Sequence, residues 1–141
     1  MVTREALKKA VDDLGKCLSG SKIGMVNSGW DPVTQQRFIL SFPAPEMSDA
    51  KLTGTVDACR SRHLDEIEAR YADSHPAEMA PDLLESTQAC LAGRGVEAPV
   101  GIRSPDGLVQ SLPAEKQQIL VDCALENLQR LYPKLPSYAF P

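Results

Sequence analysis

A chain of 141 residues with 43% hydrophobic and 24% charged side chains has a globular composition, long enough to bury about two thirds of the surface its unfolded form exposes. Its formal net charge of −4, with 15 basic residues scattered among 19 acidic ones, offers no basic stripe for a phosphate backbone and argues against nucleic acid as a partner. Apolar runs extend only a few residues and Met1-Val2-Thr3 opens directly into a helical pattern, so neither a transmembrane segment nor the apolar core of an export signal is read.

Apolar residues at Leu7, Ala10, Val11, Leu14, Cys17 and Leu18 recur three and four apart, the stripe of an amphipathic helix over 3–18, with Thr3 as N-cap and Gly20 as its stop. Lys22–Val26 and Arg37–Phe42 read as the strands of a hairpin. Phe38, Leu40 and Phe42 lie on one side, and a long turn runs through Asn27-Ser28-Gly29 and Trp30-Asp31-Pro32. Phe42-Pro43-Ala44-Pro45 breaks the second strand. Ser48 or Asp49 then caps a second helix, whose stripe is Leu52, Val56, Cys59, His63, Ile67 and Tyr71, with a solvated charged face opposite. Asp73, Ser74, Pro76 and Pro81 punctuate the junction that follows.

A third helix is predicted from Pro81 to Gly93, burying Leu83, Leu84, Thr87, Cys90 and Leu91. Val100–Arg103 and Leu108–Gln110 are expected to form a second hairpin around Ser104-Pro105-Asp106-Gly107. Ser111 caps a fourth helix with Pro113 in its first turn and a stripe of Ile119, Leu120, Cys123, Asn127, Leu128 and Leu131. The tail 133–141 is too rich in proline for a helix or a central strand.

These elements form a repeat. Lys16-Cys17-Leu18-Ser19-Gly20 and Ala89-Cys90-Leu91-Ala92-Gly93 each precede a turn and then a helix carrying a second cysteine, in Val56-Asp57-Ala58-Cys59 and Val121-Asp122-Cys123. Aligning Cys59 with Cys123 sets Val56 opposite Leu120, His63 opposite Asn127 and Ile67 opposite Leu131. The expectation is an α+β fold in one domain, 1–141: two tandem copies of a helix, β-hairpin, helix unit, at 3–72 and 81–132, sharing one core.

Four cysteines without a Cys-x-x-Cys suit a disulfide framework better than zinc or a thioredoxin-like motif, so no metal and no cofactor are expected. Three pairings are open. Cys17 with Cys59 and Cys90 with Cys123 is preferred, because a duplicated unit should carry its bridge within itself. Disulfides point outside the cytoplasm; four buried thiols in a cytosolic core are the alternative.

The pattern Cys-Leu-x-x-x-Gly-Val-x-x-Pro over Cys90–Pro99, the Pro113–Gln117 segment before a helical cysteine, and Gly29-Trp30-Asp31-Pro32-Val33 together resemble small exported bacterial proteins, often lipoproteins, of undefined function. That family starts its hairpins at a Gly-Trp or Gly-Val, so the resemblance would move the strand pair to begin at Trp30. It implies an exported, disulfide-stapled module, secreted or held by a lipid anchor that would precede Met1, and implies nothing about catalysis. This sequence departs from the pattern at its start, which holds no export signal and no lipid-attachment cysteine.

Only His63 and His75 could serve as catalytic bases. His63, on a buried stripe opposite Asn127, reads as a hydrogen-bonded core residue, and His75 before Pro76 as an exposed loop residue. No nucleophile elbow, phosphate-binding loop or metalloprotease helix is present, and no catalytic residue is assigned. The expected function is a non-enzymatic, extracytoplasmic interaction or ligand-binding module of the bacterial cell envelope, with a protein or small-molecule partner. Trp30 and Phe38 on the hairpin, Tyr138 and Phe140 in the tail, and His63 are the candidate binding residues. A small enzyme or ligand carrier, using His63 in a groove between the halves, is the rival expectation.

Overall fold

The computed structural model describes residues 1–136, so Tyr138 and Phe140 lie outside the described residues. Eight elements follow in order: α1 Arg4–Ser19, β1 Val26–Trp30, β2 Phe38–Ser41, α2 Asp49–His63, α3 Asp65–Ser74, α4 Pro81–Gly93, α5 Pro105–Gln110 and α6 Ala114–Leu131. The fold is α+β, and two disulfides staple it, Cys17–Cys59 and Cys90–Cys123. The chain divides into two compact units, the first of Met1–Trp30 and Gln36–His75, the second of Asp31–Gln35 and the chain from Pro76 onward. Buried residues gather in two clusters, one in each unit.

In the first unit, the Thr3 hydroxyl accepts a hydrogen bond from the Ala6 amide at 3.1 Å and starts α1. Leu7, Val11, Leu14 and Leu18 are buried to 1% exposure or less, each side chain contributing about 2 kcal/mol by leaving water. That stripe packs on α2, and Cys17 meets Cys59 with Cα atoms 5.9 Å apart. β1 and β2 pair antiparallel with Val26 opposite Ser41 and Trp30 opposite Phe38. The first strand therefore begins at Val26, neither at Lys22 nor at Trp30, and of the residues expected in the turn 27–30 lie inside it. They do so as a bulge between Asn27 and Trp30: the Asn27 side chain accepts from the Gly29 amide at 2.9 Å, and Gly29 takes a φ of +110°.

The continuous second helix is broken in two. Leu64 leaves helical geometry at φ −125°, ψ −44° and is 1% exposed. It takes the core position assigned to His63, which is half-buried beside it. Arg60 spans the break, bonding Asp65 at 3.2 Å and Glu68 at 3.1 Å.

In the second unit Pro81 opens α4 and Gly93 closes it, as predicted. The Cys90–Cys123 bridge, with Cα atoms 5.7 Å apart, joins α4 to α6. Arg94 reinforces the same pairing with two 2.8 Å bonds to the Glu126 carboxylate. Asn127 is buried and satisfied without a histidine, donating to the Cys123 carbonyl at 2.8 Å and accepting from Arg130 at 2.9 Å.

No second hairpin exists among the described residues. Ser104 caps α5 instead, its hydroxyl accepting from the Gly107 amide at 3.0 Å, with Pro105 in the first turn and Leu108 buried. Proline lacks an amide hydrogen that a strand pair would use but a first helical turn would not, so Ser-Pro-Asp favours the helix start over the hairpin. Gly107 is held to glycine by space, since a Cβ there would meet the Ser104 hydroxyl at 2.5 Å. Ser111 ends α5 rather than starting α6, donating to the Leu108 carbonyl at 2.7 Å.

Segment Asp31–Gln35, which joins β1 to β2 in sequence, belongs to the second unit. Asp31 is fully buried; its carboxylate accepts from the Val33 amide at 2.8 Å and from the Thr34 hydroxyl at 2.9 Å. The Ala80 amide donates to the Pro32 carbonyl at 2.8 Å and the Glu78 amide to the Thr34 carbonyl at 3.1 Å. Val33, 0% exposed, is thereby set into the core with Leu83, Leu91, Leu108 and Leu120.

The first helices of the two units close alike. The Ile23 amide donates to the Leu18 carbonyl at 3.1 Å, and the Val96 amide to the Leu91 carbonyl at 2.9 Å, each the long bond of a Schellman end. The residue before it must be left-handed: Gly95 at φ +76° in the second unit, Lys22 at φ +60° in the first. A side chain in that region costs about 1 kcal/mol. Gly95→Ala should therefore lower stability by about 1 kcal/mol, while Lys22→Gly should raise it by a few tenths to about 1 kcal/mol. Shifts of the urea midpoint at unchanged slope would measure both.

Tyr132, just beyond α6, donates to Asp82 at 2.6 Å. Burial, then that bond and the carboxylate's charge, hold the phenol well above its usual range near 10. Below about pH 10 the phenol keeps its proton in both states and its contribution is intact. Above that, the unfolded chain releases the proton while the folded chain retains it, so stability falls. Tyr132→Phe should flatten this alkaline decline, read from melting temperatures between about pH 9 and 12, and cost about 1 kcal/mol at neutral pH.

Candidate functional site

Two of the residues expected to bind meet at the end of the hairpin. The bulge in β1 aims Trp30 at Phe38, its cross-strand partner, with ring centroids 4.9 Å apart at 68°. Tyr71 of α3 approaches the indole edge-on, 5.5 Å away at 90°, and the Arg4 guanidinium of α1 sits 4.3 Å over its face. Tyr71 in turn stacks on His75, 3.9 Å between centroids and 7° from parallel. Because the Tyr71 carbonyl can only accept, its 2.9 Å contact with His75 Nδ1 assigns a proton to that nitrogen. Gln36 donates to the His75 carbonyl at 2.8 Å. Trp30 and Phe38 stay half-buried against the core of the first unit. Phe38, Tyr71 and Arg4 thus all pack against the indole of a tryptophan that is not fully buried.

Arg4, Tyr71 and His75 were not among the predicted site residues. The helix stripe includes Tyr71, but nothing in the local pattern marks Arg4 or His75 as neighbours of the tryptophan. His63 lies elsewhere, in a shallow recess of about 200 Å³ formed by Arg62, Glu66, Ile67 and Arg70 at the break between α2 and α3. All its walls belong to the first unit. The imidazole makes no hydrogen bond among the described residues, although Ser61 and Glu66 line the same recess. No group of three metal-ligating side chains occurs among the described residues.

A larger recess, about 390 Å³, opens where the end of α1 and the approach to α2 face one another. Lys22 and Lys51 line it with Ser21, Ser48 and Glu46, and Met47 contributes apolar surface. Two local structures shape it. The left-handed Lys22 ends the α1 closure, and the Ser48 hydroxyl caps α2 by accepting from the Lys51 amide at 3.3 Å. The residues come from segments more than twenty positions apart, and the sequence reading did not identify the recess. No helix of the described residues is long and apolar enough to cross a membrane. Set against models of known protein families, curated proteins and solved structures, the chain matches none of them.

Proposed function

We propose that the chain is a non-enzymatic binding module of an oxidising, extracytoplasmic compartment, the bacterial cell envelope, built by duplicating one disulfide-stapled helical unit. The observation that carries this reading is the pair of bridges, Cys17–Cys59 and Cys90–Cys123, which leaves no free thiol among the described residues. Such bridges persist where glutathione does not reduce them. The matching Schellman ends after Cys17-Leu18 and Cys90-Leu91 support the duplication, and the likeness to small exported bacterial proteins supports the compartment. Trp30 and Phe38 offer half-buried aromatic side chains, the residue type that anchors interfaces.

Quenching the cells that make the protein in acid and labelling thiols with a maleimide under denaturing conditions, without reductant, tests the compartment. All four cysteines should escape labelling. Labelling of the cysteines in the acid-quenched protein would place it in a reducing compartment and overturn the reading.

A further inference from the structure

The geometry points to the recess between Lys22 and Lys51 as a binding site for a small organic anion that carries a short apolar portion. This rests on the reading of the chain as a binding module and names the ligand chemistry of one site. The volume of about 390 Å³ is in the range that small-molecule ligands occupy. Lys22 and Lys51 both line it, and neither makes an ion pair among the described residues. One carboxylate, Glu46, shares the rim, so the recess carries a net positive charge of one and fits a single anionic group. Ala44, Pro45 and Met47 supply apolar wall, and the Ser21 hydroxyl adds a donor. The Ser48 hydroxyl accepts from the Lys51 amide and keeps its own hydrogen to donate.

Lys22 gives the inference its second, independent support. At the corresponding closure of the second unit the left-handed residue is Gly95, which meets the backbone demand without strain. The first unit places a lysine there and so keeps an ammonium at the recess despite the conformational cost. A backbone outlier of this kind is what a functional constraint produces. The anionic group itself could be a phosphate monoester or a carboxylate, since either accepts charge-assisted hydrogen bonds from a lysine ammonium.

The test is an amide NMR titration of the oxidised, full-length protein at constant ionic strength, with butyl phosphate in one arm, pentanoate in a second and neutral butanol as the control. At least one anion should produce saturable shifts at residues 21–24 and 44–51, with a dissociation constant of about 1 mM or tighter. Whichever anion saturates identifies the group that the site takes. Binding should weaken by about tenfold or more in Lys51→Gln and in Lys22→Gly, and the second variant should melt higher than the parent, so that its loss of binding cannot be laid to unfolding. Shifts that stay linear for both anions, that butanol reproduces, or that survive unchanged in both variants would overturn the site. In a protein whose cysteines prove oxidised in cells, that outcome would remove the ligand assignment and leave the compartment standing.

Discussion

Replacing Cys90 and Cys123 together by serine is expected to lower the stability of the second unit by about 4 kcal/mol, and replacing Cys17 and Cys59 to do the same for the first. The bridges span 33 and 42 residues, and closing loops of that length removes roughly this much conformational entropy from the unfolded chain. Whole domains of this size are stable by only about 5 to 15 kcal/mol, so either loss is a large share of what holds a unit folded. Cys59 and Cys123 are 5% and 0% exposed, and serine hydroxyls there would also be left without partners. Urea unfolding of the oxidised parent and the two double variants gives the values directly. A change below about 1 kcal/mol for either pair would mean that the bridge constrains little.

Val33→Asp is the second large effect, expected to cost about 3 to 5 kcal/mol by leaving an uncompensated charge in an apolar core. In sequence, Val33 sits in the connection of a hairpin and would pass as an exposed turn residue. In the structure it is 0% exposed and belongs to the core of the second unit, among Leu83, Leu91 and Leu108. Hydrogen exchange should accordingly show the loss of protection in α4 and α6, elements nearly fifty residues or more downstream. Val33→Ala, which removes two methyl groups without adding charge, should cost only about 2 kcal/mol. Protection of α4 and α6 unchanged in Val33→Asp would contradict the assignment of the segment 31–35.

What could be read in the sequence follows from how local each determinant is. α1 and α4 carry their stripes, caps and stops within the element, and both were placed to within a residue or two. The disulfide pairing followed from the internal symmetry of the cysteines. The break at Leu64 was hidden because His63 and Leu64 are adjacent around the helix and either could extend the stripe; the buried position goes to the apolar one, with Arg60 tying the two helices across the break. The second hairpin was misread because a Ser-Pro-Asp-Gly turn and a serine-capped helix start share their residues. Of the candidate site, Trp30 and Phe38 were legible as strand aromatics. Arg4 over the indole, Tyr71 beside it and the recess of Lys22 and Lys51 depend on tertiary approach, for which local periodicity carries no signal.

That each of the two units is closed by its own bridge is tested most directly by peptide mapping of the purified protein by mass spectrometry, alkylated without reduction. Peptides should be recovered linking Cys17 to Cys59 and Cys90 to Cys123, with no alkylated cysteine. Peptides linking Cys17 to Cys90 or Cys59 to Cys123, or four alkylated thiols in protein never exposed to reductant, would contradict it.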